Sequence, residues 1–138
     1  MGSTNEYHED MPDKCPPSHS KSAPLVLYRA GQNPVVEDSD CQSLYERKKA
    51  RGQLLGLSGA ERCQSFGLSV FTSIEDVKLL LNLVPRLGPY VFKCNFKKTH
   101  GKFTDTPSKQ HPGHHTLWLK KDAPKLQLFE AVDHVDNL

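Results

Sequence analysis

The chain of 138 residues lacks any apolar run near the ~20 residues that a membrane span needs. Its N-terminus is polar and acidic and has no apolar h-region of the secretory kind. From these two absences we expect a cytosolic or nuclear protein. No C-x-x-C pair occurs; Cys15, Cys41, Cys63 and Cys94 are spread along the chain. Without a secretory signal the expectation is four ordinary thiols rather than a disulfide framework. No internal repeat, no H-E-x-x-H helix and only one tryptophan, Trp118, are found. Apolar content is low in residues 1–23 (MGSTNEYHEDMPDKCPPSHSKSA). Such a segment cannot offset the entropy of ordering and reads as a disordered tail.

What is present is enough for one small domain over residues 24–135. Hydrophobic residues make up 36% of the chain, a lean core for a domain of this size. The run Leu25 to Ala30, closed by Gly31, reads as a buried strand. Asp40 is placed to cap a helix from Cys41 to about Arg51, with Gly52 as its stop. The stretch from Gly52 to Gly67 carries four glycines and no clear period. Leu68–Phe71 reads as a short strand. Ile74, Val77, Leu80, Leu81 and Val84 then recur at helical spacing behind Ser73 as N-cap, and Pro85 ends the run. Strands are expected at 90–96, 102–106, 114–119 and 126–132. The order fits an α+β domain with a mixed or mostly antiparallel sheet and two main helices.

Charge is distributed unevenly. Residues 86–125 hold nine basic residues against Asp105 and Asp122, a net +7, and four of the seven histidines. Such a stretch suits a small anionic ligand, a nucleotide, or nucleic acid. His111, His114 and His115 lie close together, but their spacing matches no standard zinc pattern, and on a strand His114 and His115 point to opposite faces. No metal site is therefore expected. The loop from Thr106 to His115 is polar and held between two strands, where a binding site commonly sits. Lys102, Thr106, Ser108, His111, His114 and Trp118 are candidate ligand-binding residues. His115, or His114, is a candidate acid or base near neutral pH. Tyr90, Phe92, Phe96, Phe103 and Trp118 sit among the lysines, a pattern that single-stranded nucleic acid exploits when the rings are exposed. The same alternation also describes a half-exposed strand with its aromatics in the core.

A further set is spread along the chain: Leu27-Tyr28-Arg29, Gly67-Leu68-Ser69-Val70-Phe71-Thr72-Ser73, and Glu130 on the last strand. This arrangement resembles small ADP-ribosyltransferase-like domains of the bacterial toxin type. The resemblance implies NAD as cofactor, with Arg29 on the dinucleotide, Ser69 (or Ser73) ordering the nicotinamide ribose and Glu130 stabilising the cationic sugar. The residue types suit those tasks, a cation for pyrophosphate and a carboxylate beside an oxocarbenium-like centre. The S-T-S and E-x-E forms of that family are absent here. Two readings result: a basic, histidine-bearing cleft for a nucleotide, in its sharper form a transferase using Arg29, Ser69, Glu130 and His115; or a non-catalytic module binding nucleic acid or protein through a Lys93–Lys125 face.

Overall fold

The computed structural model describes residues 6–53 and 56–138. Among these residues six strands form one sheet: β1 (Leu25–Gly31), β2 (Leu68–Phe71), β3 (Tyr90–Phe96), β4 (Gly101–Asp105), β5 (His114–Leu119) and β6 (Phe129–His134). Four helices accompany them among the described residues: α1 (Leu44–Ala50), α2 (Gly59–Ser65), α3 (Ile74–Leu83) and the single turn α4 (Lys125–Leu128). The strand order is β4-β5-β2-β1-β3-β6 and every pairing is antiparallel. The protein is an α+β domain.

β1 and β3 pair over seven residues, from Leu25 opposite Phe96 to Gly31 opposite Tyr90. β1 and β2, by contrast, share a single pair, Tyr28 opposite Phe71. The sheet is thus two three-stranded halves joined at one point, and it rolls up. β3 and β4 stand far apart in the strand order, yet only residues 97–100 connect them. The Phe96 ring meets the Phe103 ring edge-on at 5.6 Å.

The roll places one face of both halves inside. Leu27, Phe92, Cys94 and Phe129 come from one half, and Leu68, Val70, Phe103, Leu117 and Leu119 from the other. Residues of period two alternate across a strand, so Lys93 and Asn95 face out while Phe92, Cys94 and Phe96 are buried. The aromatic residues of the basic stretch therefore serve the core. Phe92, Phe96, Phe103 and Trp118 are all buried and offer no stacking platform for bases. On the outer face α3 covers Phe71 and Val91 with Val77 and Leu81.

Several sequence expectations change in detail. The helix expected from Cys41 begins instead at Leu44. Ser43 caps it, accepting from the Glu46 N–H at 3.1 Å while Glu46 accepts from the Ser43 N–H at 3.0 Å. Asp40 belongs to a preceding 3-10 turn, Asp38–Cys41, where its carboxylate accepts from the Glu37 N–H. Gly52 does end α1: its φ is +69°, its N–H donates to Lys49 and the Gln53 N–H donates to Lys48, which is the Schellman arrangement. The indistinct stretch before Gly67 contains α2, and its positions 54 and 55 lie outside the described residues. The strand expected over 126–132 is shifted: Pro124 starts one helical turn, and the ladder begins only at Phe129.

The largest departure concerns the disordered tail expected over residues 1–23, of which 1–5 lie outside the described residues and 6–23 depart from that expectation. Residues 6–23 carry almost no regular structure, yet they form a strap across the domain. Met11 and Cys15 are buried with Cys63, Phe66 and Trp118. Cys15 and Cys63 form a disulfide across 48 residues, so two of the four cysteines are not free thiols. Lys21 and Phe103 exchange both backbone hydrogen bonds at 2.8 and 2.9 Å, which covers the edge of β4. A few isolated anchors do this work, and anchors without a period leave no pattern for sequence reading to detect.

Gly31 sits where β1 leaves the junction, and a methyl group there would overlap the Phe92 ring, itself fully buried. We expect Gly31→Ala to lower stability by about 1–3 kcal/mol, the usual cost of overpacking a core. Denaturant unfolding monitored by circular dichroism would measure it. An unchanged midpoint would contradict the packing described.

Candidate functional site: an arginine-lined wedge between two strands

Beyond Tyr28 and Phe71 the two central strands separate. Arg29, Ala30 and Gly31 of β1 lie on one side of the gap, and Leu68 and Ser69 of β2 on the other. The gap opens into a cavity of about 780 Å³. α1 walls it with Leu44, Arg47 and Ala50, and α2 with Glu61, Gln64 and Ser65. The end of α3 and the turn after it add Leu80, Arg86 and Leu87. A volume of this size suits a small molecule. The strand edges that face each other here lack a ladder, so backbone polar groups border the space.

Arg29 spans the mouth of the split. Its Nη1 donates to the Ser69 carbonyl at 2.7 Å and its Nε to the Asp40 carbonyl at 3.1 Å. Its side chain leaves β1 on the inner face, level with Phe92. Burial lowers its pKa to about 10, and the neighbouring Arg47 cation acts in the same direction. Arg29 still carries its charge at neutral pH.

The cavity's charge is asymmetric. Arg29, Arg47, Arg51 and Arg86 line it, opposed by Asp40 and Glu61. Among the described residues none of these four arginines has an ion-pair partner. The sequence contains only five arginines, the fifth being Arg62, and thirteen lysines. No lysine lines the cavity. This partition escaped the sequence reading because the four arginines are spread over 58 positions, in a segment whose net charge is near zero. The available signal was residue type rather than charge: guanidinium groups bind phosphate and carboxylate in a planar, bidentate way that ammonium groups do not.

Of the residues singled out from sequence, Arg29 and Ser69 share this cavity. Glu130 does not. It is exposed on β6, in register with Lys93, three strands from Ser69 and two from Arg29. Its side chain also leaves the sheet on the face opposite to that of Arg29, since Ala131, not Glu130, is level with Phe92. The carboxylate role assigned to Glu130 therefore has no geometric support. Ser73 is spent on α3, where its hydroxyl accepts from the Asp76 N–H and donates to the Asp76 carboxylate.

The histidine-bearing loop is a folded structure beside the cavity rather than part of its lining. His114 lies opposite Phe71 and its Nδ1 meets the Thr106 hydroxyl at 2.7 Å, while Thr106 also bonds to Thr116 at 2.9 Å. Burial holds the His114 pKa below the ordinary 6.5. His111 packs edge-on against the same Phe71 ring. Ser108 Oγ accepts from the His111 N–H. His115 points to the other face, as alternation requires, with Nδ1 against the Gly113 carbonyl. Trp118 is 2% exposed and donates to the Cys63 carbonyl at 2.9 Å, a structural role. Lys102 pairs across the strands with Trp118 at the far end of the sheet. None of these residues lines the wedge. Among the described residues no group of three or more His, Cys, Asp or Glu side chains is placed to hold a metal ion. No helix among them is long and apolar enough to cross a membrane.

Two outcomes follow from these contacts. Arg29→Ala removes two charge-assisted hydrogen bonds to backbone carbonyls, one of them open to solvent, and should cost about 1–3 kcal/mol in denaturant unfolding. His114 has a folded-state pKa below its unfolded value, so the unfolded chain binds the extra proton first. Its contribution is intact above pH 6.5 and is lost as pH falls through 6.5 towards the lowered folded value. His114→Gln should flatten the stability profile in that window, and an unaltered profile would contradict the burial of this ring. No family model matches the chain, and no curated protein and no solved structure shows significant similarity to it.

Proposed function

We propose that the wedge between β1 and β2 binds an anionic small molecule of the nucleotide class. The partition of cations carries this reading: four of five arginines and none of the thirteen lysines line one cavity. Unpaired guanidinium groups that face a common space repel one another, as Arg29 and Arg47 do, and an anion relieves that repulsion. Phosphate is a natural counterpart, because each arginine can grip it with two N–H groups. Leu44, Leu57, Phe71, Leu80 and Leu87 supply an apolar surface in the same cavity, suited to a base or a nicotinamide ring.

The likeness to ADP-ribosyltransferase-like domains gains support at two positions, Arg29 and Ser69, and loses it at Glu130. The proposal is accordingly one of binding, with NAD as one candidate ligand. The lysines, by contrast, occupy separate places: Lys97 and Lys98 in the β3–β4 turn, Lys93 on the outer face beside Glu130, and Lys102 at the β4 edge. This spread does not favour a single nucleic-acid-binding face.

A thermal-melting screen with ATP, AMP, NAD, inorganic phosphate and a mixed oligonucleotide tests the proposal, since a ligand stabilises the fold only by binding its native state. At least one nucleotide should raise the melting temperature, and added salt should weaken the effect. Arg47→Ala and Arg86→Ala should each weaken binding by about ten- to a hundredfold, the worth of one charge-assisted hydrogen bond. Lys97→Ala should leave it unchanged. The absence of any shift with millimolar nucleotide would overturn the reading, as would equal losses in the arginine and lysine variants.

A further inference from the structure

One wall of the wedge has an unusual attachment. α2 is seven residues long, too short to be stable by itself. Ser58, at its N-cap, makes no side-chain capping bond, and the first residue, Gly59, has φ +59°. Glu61, Gln64 and Ser65 line the cavity, which at helical spacing is one face. Cys63 lies on the opposite face, where it is bonded to Cys15 of the strap.

The other ties of α2 lie on the same side. Trp118 donates to the Cys63 carbonyl, and Phe66, just past the helix, stacks on Tyr45 at 4.1 Å. Arg62 reaches the Asp10 carbonyl of the strap at 3.4 Å. The strap is in turn held by Met11 and Cys15 in the cluster around Trp118, and by the contacts of Asp10 with Lys49 and Tyr45. The disulfide is thus the covalent link in a chain of contacts from residues 6–23 to the cavity wall. The two remaining cysteines are remote from this link in chemical terms. Cys41 and Cys94 are buried, and burial holds both thiols far above the usual thiol range, at about 11 and about 12. They stay protonated and do not compete in exchange.

We propose that the Cys15–Cys63 disulfide is a redox latch on the wedge: oxidised, it holds α2 against the cavity, and reduced, it frees the strap and lets that wall move away. The reductant is a dithiol. One of its thiolates attacks one sulfur of the bond, and the displaced cysteine leaves as a thiolate and takes up a proton. The second thiolate then attacks the reductant's own sulfur in the mixed disulfide, so that the reductant closes to its own disulfide and the second cysteine leaves as a thiolate and is protonated in turn. Two electrons and two protons reach the protein. Both sulfurs are in buried residues, 8% and 6% exposed, so the strap must open locally before attack. The part of the proposal that concerns ligand affinity rests on the wedge being a binding site. The part that concerns α2 does not.

The test uses the full chain, oxidised and after reduction with dithiothreitol, together with Cys15→Ser. Hydrogen exchange, circular dichroism and binding of ATP and NAD are measured on each. Reduction should raise exchange in residues 57–66 and 6–23 and leave β1, β3 and β6 protected. It should weaken the binding of whichever nucleotide the oxidised protein takes by about tenfold. Cys15→Ser should behave as the reduced protein does. Unchanged exchange at 57–66 overturns the latch, as does general loss of protection and of circular dichroism, which would make the bond a support of the whole domain. Loosening of α2 with undiminished affinity overturns the gating. A Cys15→Ser protein that stays protected at 57–66 also sinks the proposal, because the reductant then acts elsewhere. If the oxidised protein binds neither nucleotide, the binding reading fails and the exchange comparison alone decides the latch.

Discussion

A single residue pair, Tyr28 opposite Phe71, joins the two halves of the sheet, and Arg29 spans the gap that opens beyond it. Much of the structure depends on this incomplete junction. A full ladder between β1 and β2 would leave no space between them, whereas a complete break would take the Ser69 carbonyl out of reach of Arg29. The guanidinium stabilises the split by giving one hydrogen bond to the Ser69 carbonyl on the β2 edge that faces the gap and one to the Asp40 carbonyl in the turn before α1. The same residue brings positive charge to the mouth of the cavity, so structural clamp and electrostatic attraction have one source.

The wedge is bounded by elements that differ in how firmly they are held. β1 pairs with β3 over seven residues, and α3 is packed on the outer face by Val77 and Leu81. These parts form a firm base. α1 and α2 are short, have few buried side chains and rely on capping, aromatic stacking and the strap. A ligand site with one rigid side and one lightly held side is expected where local stability is lowest around a binding region. The disulfide reaches that lightly held side and no other part of the cavity.

The strap also revises the account of the domain's limits. Residues 6–23 have too few apolar groups to fold by themselves, and composition alone gives them the appearance of a tail. They are held in place where Tyr7, Met11 and Cys15 pack against Phe66 and Trp118. Such ordering is set by the partner surface, which composition cannot report.

The sequence by itself determined most of the secondary structure. β2, β3 and β5 lie where alternation and apolar runs put them, and α3 lies between its Ser73 cap and Pro85. Local rules suffice there because caps, proline and side-chain period act within a few residues. It also determined that Arg29 and Ser69 were worth noting. The tertiary structure alone decided that these two share a cavity and that Glu130 stands outside it. It alone placed Trp118 and the Cys15–Cys63 bond in a buried cluster, and gathered Arg47, Arg51 and Arg86 around Arg29. Those outcomes depend on where the sheet splits and how it rolls. The roll brings together Phe92, Phe96 and Phe103 from strands far apart in the sheet, and such long-range packing leaves no local signal in the sequence.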